Sequence, residues 1–126
     1  MKDMPKISDS EWEVMKVLWD KSPLTSSEIV EMLKPATKWS PTTIYTLISR
    51  LVNKKAIGIK EGSSPYICYP LVSRKDCSKK EYSSFIKKVY NGSLNLMLSN
   101  LVEEQDLSEE DIEELKKILD KSKDRG

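Results

Sequence analysis

The chain has 126 residues, which allows one core of ordinary size, or one domain with a helical appendage, but not two large domains. It contains no histidine, and its two cysteines, Cys68 and Cys77, are too few and too unpatterned to indicate a disulfide framework. Without a histidine base, clustered metal ligands or a glycine-rich phosphate loop, the composition argues against an enzyme and predicts no catalytic residue, metal or cofactor.

Charge is distributed unevenly along the chain, although the net charge is only +1. Residues 1–90 carry 16 basic and 10 acidic side chains, whereas residues 91–126 carry 5 basic and 10 acidic ones, so their net charges are +6 and −5. This asymmetry predicts that the basic N-terminal part, residues 1–90, contacts a polyanion. There is no apolar run of transmembrane length and no signal peptide, so we expect a cytoplasmic protein that makes no membrane contact of its own.

The first two predicted helices both begin with a capping box. Ser8 and Glu11 predict a helix that ends near residue 20, and Thr25 and Glu28 predict a second helix. The second helix is expected to end near residues 34–35, where a proline interrupts the pattern. The inner face of the first helix is predicted to comprise Trp12, Met15, Leu18 and Trp19.

The third predicted helix has three start signals. Ser40 can cap its first backbone donors, Pro41 suits its first position, and Trp39 can pack against Ile44. Its apolar residues recur at helical spacing and should face the core: Ile44, Leu47, Ile48, Leu51 and Val52. The remaining side chains should face outward: Thr42, Thr43, Tyr45, Thr46, Ser49 and Arg50.

This outward face is typical of a DNA recognition helix and less so of an ordinary core helix. No acidic residue occurs from Lys38 to Lys60, whereas five basic residues do. Threonine and tyrosine can contact thymine methyls or base edges in the major groove, and the basic side chains can hold phosphates. The predicted DNA-contacting residues are Trp39, Ser40, Thr42, Thr43, Tyr45, Thr46, Arg50, Lys54 and Lys60.

The pattern changes after the third helix. Residues 56–60 and 66–71 are short runs rich in β-branched and aromatic side chains, and they flank a turn segment at residues 61–65. This predicts a β-hairpin. Three helices followed by a hairpin predict a winged helix-turn-helix DNA-binding domain over residues 1–72, with the hairpin tip as the wing.

Residues 73–126 return to helical periodicity, and Ser108 with Asp111 marks the start of a last helix. The apolar stripes of this tail should avoid water, yet the tail is too short for a core of its own, so we predict a helical domain that pairs with a second copy. The predicted dimerisation residues are Phe85, Val89, Leu94, Met97, Leu98, Leu101, Ile112, Leu115, Ile118 and Leu119. The predicted fold class is therefore mainly α with a small β-hairpin.

Several long motifs carry a family resemblance. They are Ile7-Ser8-x-x-Glu11-Trp12-Glu13-Val14-Met15, Trp39-Ser40-Pro41-x-Thr43-Ile44-x-Thr46-Leu47-Ile48-x-Arg50-Leu51, Phe85-Ile86-x-Lys88-Val89-Tyr90-x-Gly92 and Asp106-Leu107-Ser108-x-x-Asp111-Ile112-Glu113-Glu114-Leu115. Over residues 7–121 the chain resembles the penicillinase-repressor and methicillin-resistance-repressor family. The resemblance implies a dimeric winged-helix repressor that binds a dyad operator upstream of β-lactam resistance genes and of its own operon.

The resemblance also implies partners and a means of release. Family members are cut within the dimerisation region after a membrane sensor detects the antibiotic, and Asn100-Leu101 occupies the place of the scissile bond, although the family usually has phenylalanine after the asparagine. The implied partners are double-stranded operator DNA, a second copy and a regulatory protease linked to that sensor. Thr42 and Tyr45 depart from the family pattern, so the same operator sequence is not implied. The paired Cys-x-Cys motifs of a copper-responsive branch are missing from the end of the chain.

Two alternatives stay open at this point. One is a winged-helix repressor that responds to a different signal, which gene neighbourhood would reveal. The other is a winged-helix module that binds protein through its outward face, which would lack the salt dependence of phosphate contacts.

Overall fold

The computed structural model describes residues 4–62 and 64–125. In chain order its elements are α1 (Asp9–Asp20), β1 (Leu24–Thr25), α2 (Ser26–Thr37), α3 (Pro41–Asn53), β2 (Ile57–Lys60), β3 (Ile67–Pro70), α4 (Arg74–Tyr90), α5 (Leu94–Glu104) and α6 (Glu109–Arg125). The mainly helical fold with a small antiparallel sheet confirms the predicted class. The chain divides into two compact units, Met1–Glu81 and Tyr82–Gly126, and the dividing point lies in α4. The functional boundary after residue 72 stays a prediction.

The first three helices begin at the predicted capping residues. Ser8 N donates to Glu11 Oε1 (2.8 Å) and Glu11 N donates to Ser8 Oγ (3.3 Å). At α2, Thr25 N donates to Glu28 Oε1 (2.9 Å) and Glu28 N donates to Thr25 Oγ1 (3.1 Å). At α3, Ser40 Oγ accepts from the backbone N–H of residue 43 at 3.2 Å. Short-range hydrogen bonds therefore set all three starts, as the sequence pattern predicted.

The expected end of α2 near residues 34–35 is wrong, because the helix continues through Pro35 to Thr37. Pro35 cannot donate a backbone hydrogen bond and crowds the carbonyl of residue 31, which weakens the last turn without ending the helix. Two hydrogen bonds close this turn. The backbone N–H of Lys38 donates to the carbonyl oxygen of Lys34 at 3.1 Å, and the Thr37 hydroxyl donates to the carbonyl oxygen of Leu33 at 2.7 Å. Lys38, with a φ of 62°, then ends the helix in the left-handed region.

Apolar side chains from α1, α2, α3 and the sheet form the core of the first unit. The predicted inner face of α3 is confirmed, since Ile44, Leu47, Ile48 and Leu51 are buried and Val52 is half-buried. For α1 the prediction is partly wrong: Val14 is buried beside Met15 and Leu18, whereas Trp12 and Trp19 are half-buried at the edge of the core. An edge position lets the Trp19 indole N–H reach the Val72 carbonyl oxygen at 2.9 Å.

The predicted hairpin is formed by β2 and β3, and residue 63 of its turn lies outside the described residues. Sequence analysis missed β1, whose two residues pair with β3 at Leu24 opposite Cys68 and Thr25 opposite Ile67, giving the order β1-β3-β2. In addition, the backbone N–H of Ser26 donates to the Tyr66 carbonyl oxygen at 2.9 Å. The hairpin is thereby attached to the start of α2.

The second unit contains the end of α4 together with α5 and α6. None of its described residues, 82–125, is buried. The predicted start of the last helix is confirmed by a reciprocal pair of hydrogen bonds. Ser108 N donates to Asp111 Oδ2 at 3.2 Å, and Asp111 N donates to Ser108 Oγ at 3.1 Å. Across residues 4–62 and 64–125, no helix combines the length and apolar character that crossing a membrane would require.

An ion pair at the edge of the first core joins two helices. Glu11 is only 1% exposed, and its Oε1 accepts from Lys54 Nζ at 2.5 Å. The same ammonium donates to the carbonyl oxygen of Lys6 at 2.7 Å. Burial raises the pKa of Glu11, but the hydrogen bonds from Lys54 and Ser8 together outweigh burial and hold that pKa below its usual value. Lys54, directly after α3, is thus bound to the first turn of α1.

We expect Glu11→Gln to reduce the free energy of unfolding at pH 7 by about 1–3 kcal/mol, because glutamine can keep the capping box but leaves the Lys54 ammonium without its carboxylate. The folded pKa of Glu11 lies below the unfolded value of about 4.3, so its stabilisation is present above that pH and is lost as the pH falls through the folded pKa. Urea unfolding at several pH values should show the difference between the two proteins shrinking on acidification.

Glu28→Gln provides the matched control. Glu28 also closes a capping box and also has a lowered pKa, caused by its hydrogen bonds with Thr25, but those bonds are exposed. We expect a smaller change than for Glu11→Gln. A stability loss in Glu11→Gln that is as large at the lowest pH at which both proteins fold as it is at pH 7 would contradict the charged role of the pair.

Candidate nucleic-acid interface

The outward face of α3 is exposed as predicted. Its six side chains lie on the solvent side of the helix, and the exposed fraction of the largest, Tyr45, is 42%. Thr43, Thr46 and Arg50 are spaced by three and four residues and so form one ridge along this face. The four residues predicted for the major groove, at positions 42, 43, 45 and 46, all fall within the first two turns of the helix.

Two hydroxyl groups on this ridge are engaged within the helix itself. The Thr46 hydroxyl donates to the carbonyl oxygen of Thr42 at 2.9 Å. The Thr43 hydroxyl lies 3.1 Å from Ser40 Oγ, which also caps the helix. The surface that these two threonines present therefore has less hydrogen-bonding capacity than their residue types suggest.

Trp39 and Ser40 hold the start of α3. Trp39 is half-buried against the core, and its backbone N–H donates to Thr37 Oγ1 at 3.2 Å. Ser40 Oγ is occupied by the helix cap. Both residues therefore fix the start of the helix that carries the outward face. A DNA contact by either one stays a prediction.

The basic residues predicted to hold phosphates differ in their surroundings. Arg50 is exposed in the last turn of α3, and Lys60 is exposed at the end of β2, where the hairpin turn begins. The ammonium of Lys54 is bound to Glu11 and to the backbone of residue 6, and its contact with a phosphate stays a prediction. No acidic side chain interrupts the segment that contains α3 and β2.

A groove of about 510 Å³ separates the outward face of α3 from the hairpin. Tyr45 and Ser49 line it from the helix, and Tyr66 lines it from the hairpin, where its side chain is 57% exposed. Ser26, at the start of α2, reaches the same groove. Sequence reasoning did not select Ser26 or Tyr66, since neither has a charge or a motif that would mark it. The helix and the hairpin thus border one continuous surface.

The residues predicted for dimerisation and cleavage lie in the second unit. Met97 is half-buried, and the others in the dimerisation set are exposed: Phe85, Val89, Leu94, Leu98, Leu101, Ile112, Leu115, Ile118 and Leu119. The proposed scissile bond, Asn100-Leu101, lies within α5, and both of its side chains are exposed.

Known proteins resemble this chain along almost its whole length. The sequence model of the penicillinase repressor family matches residues 7–121. A penicillinase repressor from Bacillus licheniformis is 38% identical over 125 residues, which are 99% of this chain and 98% of the relative. The methicillin resistance regulatory protein MecI from Mammaliicoccus sciuri is 42% identical over 116 residues, which are 92% and 94% of the two chains. Both relatives are named as regulators, in agreement with the prediction that this chain is a regulator and not an enzyme.

Solved structures resemble the first part of the chain. The solution structure of the DNA-binding domain of the repressor BlaI has a TM-score of 0.55 and 37% identity, covering 60% of this chain and 93% of that domain. The monomeric form of Bacillus licheniformis BlaI, solved in complex with the blaP half-operator, has a TM-score of 0.53 with the same identity and coverage. The winged-helix prediction is confirmed, and the chain belongs to the penicillinase repressor family.

Proposed function

We propose that this protein is a transcriptional repressor that binds a dyad operator in double-stranded DNA and blocks transcription by occupying it. The observation that carries the proposal is the exposed, acid-free face of α3, which borders a groove shared with the hairpin. Membership of a family of repressors supports it, as does the relative solved with a half-operator. A segment with five basic residues and no acidic one favours a polyanion such as DNA as the partner.

The proposed contacts divide into two kinds. Thr42, Thr43, Tyr45 and Thr46 enter the major groove from the first turns of α3, which is the part of a recognition helix that reaches base edges. Arg50 and Lys60 hold phosphates on either side and set the register of the helix on the duplex. Lys54 is left out of this set, because it stabilises the fold through Glu11.

We further propose that the second unit pairs two copies of the chain. A helical unit in which no described residue is buried has no core of its own, yet leucine and isoleucine side chains such as Leu94 (54%) and Ile118 (62%) are widely exposed. A second copy offers the same apolar surface and closes the assembly with two-fold symmetry. Pairing raises the effective concentration of the second DNA-binding domain to about the millimolar range, which one small winged helix needs for tight binding.

Release is proposed to follow cleavage of the Asn100-Leu101 bond in response to a β-lactam, through a regulatory protease linked to a membrane sensor. Because α5 has 11 residues and no buried side chain, its local unfolding should be easy, and an unfolded segment can enter a protease. Cleavage would separate α6 from α4 and remove part of the dimer surface without altering the DNA-binding face. A different inducing signal is the second candidate, favoured only by the changed residue after the scissile asparagine.

The operator prediction is tested by footprinting DNA upstream of the protein's own gene at two salt concentrations. We expect a protected dyad that survives competitor DNA and weakens with salt by a log-log slope of about −0.9 per neutralised phosphate. Arg50→Gln should make this slope shallower by about 0.9 per copy. Lys16→Gln removes the same charge from α1, where Lys16 pairs with Glu13 at 2.8 Å, and should leave the slope unchanged. Equal effects of the two variants would argue against a specific contact.

The dimer prediction is tested with Leu115→Gln and Glu114→Gln, which introduce the same side chain at adjacent positions of α6. We expect the first to weaken dimerisation at least about tenfold, since burial of a leucine contributes about 1.5–3 kcal/mol, and the second to have little effect. Sedimentation equilibrium measures both. A monomeric wild-type protein at micromolar concentration would overturn the proposed dimer.

The release prediction is tested with a chain that ends at Asn100. We expect it to dimerise less tightly and to lose affinity for the dyad operator, while its affinity for an isolated half-site stays close to that of the intact chain. Sedimentation and half-site titration separate the two effects. A truncated chain that dimerises and binds the full operator as tightly as the intact protein would exclude cleavage as the releasing event.

A further inference from the structure

The last helix, α6, carries an apolar stripe although every one of its residues is exposed. Ile112, Leu115 and Leu119 are separated by three and four residues, so they lie along one face of the helix, and Ile118 lies beside them. The exposed fractions of these four side chains range from 40% to 63%. Other described parts of the chain therefore leave the stripe largely uncovered, and it needs an apolar partner.

The charges of α6 are separated along its axis. Residues 109–115 contain five acidic and no basic side chains, whereas residues 116–125 contain five basic and two acidic ones, so their net charges are −5 and +3. The helix macrodipole favours acids at a helix start and bases at its end, but its effect is confined to the first and last turns. It does not account for Glu113 and Glu114, which lie in the second turn.

Four of these charges lie at the edges of the apolar stripe. Glu109 and Lys123 are 14 residues apart, about four helical turns, and so lie along the same edge. Asp111 and Arg125 have the same spacing and lie along the other edge. Each edge therefore carries an acid near the start of the helix and a base near its end.

We propose that two copies of the chain pair through antiparallel α6 helices, with the two-fold axis near residue 117. The inference rests on the proposed pairing of the second unit and adds the helix that pairs and its direction. Leu115 then packs against the partner's Leu119. Glu109 faces the partner's Lys123, Asp111 faces the partner's Arg125, and the two-fold symmetry repeats both ion pairs.

Parallel pairing would cover the apolar stripe as well but would place charges of the same sign together, −5 beside −5 and +3 beside +3. Burial of the stripe drives association in either direction, since exposed ion pairs contribute little singly. Four such pairs suffice to select the antiparallel direction. Near the axis Lys116 approaches its own copy, and its ion pair with Glu113, at 3.7 Å, reduces that repulsion.

Thiol cross-linking of the full-length chain tests the direction. In the antiparallel pair Ser122 faces the partner's Ile112, whereas the two Ser122 residues are ten positions out of step, about 15 Å along the axis. We expect the variant with both Ile112→Cys and Ser122→Cys to form a cross-linked dimer, and either single variant to form none. Cys68 and Cys77 are buried, so the wild type provides the blank.

Exchange of the edge charges tests the ion pairs. One variant combines Glu109→Lys with Asp111→Lys, and another combines Lys123→Glu with Arg125→Glu, so each places like charges opposite one another. We expect either variant to raise the dimer dissociation constant about thirtyfold, as four exposed ion pairs of ordinary strength would. The quadruple variant exchanges the signs and should recover most of this loss in sedimentation equilibrium.

Glu110→Lys combined with Glu114→Lys is the matched control, because it makes the same change of charge in the same turns but away from the paired edges. We expect it to leave the dimer dissociation constant within about threefold of the wild type. A larger loss, equal to that of the edge variants, would mean that general charge and not position matters, and would overturn the ion pairs.

The remaining outcomes separate this inference from the function on which it rests. A Ser122→Cys chain that cross-links to its own copy, or a quadruple variant that pairs no more tightly than the double variants, would overturn antiparallel pairing and leave a dimeric repressor intact. A wild-type chain that is monomeric at micromolar concentration would overturn the proposed dimer and this inference together.

Discussion

The buried carboxylate of Glu11 and the ammonium of Lys54 form the interaction on which the presentation of the DNA-binding face depends. The pair joins the first turn of α1 to the residue after α3, and the same ammonium binds the backbone at Lys6. Apolar packing along Ile44, Leu47 and Leu51 holds α3 on the core, but packing alone permits small changes in its direction. A directional hydrogen bond to a buried charge restricts that freedom, because a buried carboxylate without its partner is costly.

The hairpin is held in relation to α3 by a second set of contacts. β1 has only two residues, yet it pairs with β3, and the first backbone donor of α2 binds the hairpin at Tyr66. The start of α2, the outward face of α3 and the hairpin therefore border one groove. A duplex that contacts this surface would meet elements that are already fixed to one another, which lowers the entropy that binding must overcome.

The two units have opposite surface characters. The first has a buried core and an outer face with small polar and basic side chains, whereas the second carries more acidic than basic residues and exposes its apolar residues. Each surface calls for a different partner: a polyanion for the first and an apolar surface for the second. Under the proposed function, damage to the second unit would weaken operator binding by loss of pairing and would leave the residues of α3 unchanged.

The sequence by itself determined the helix starts at Ser8, Thr25 and Ser40, the inner and outer faces of α3, and the hairpin. These features follow from capping, side-chain periodicity and turn signals, which involve residues close together in the chain. Only the tertiary structure decided that Glu11 is buried, that Lys54 serves the fold, that β1 exists and that the unit boundary falls within α4. Each of these depends on residues far apart in the chain, such as Glu11 and Lys54, which are 43 positions apart and which only packing brings together.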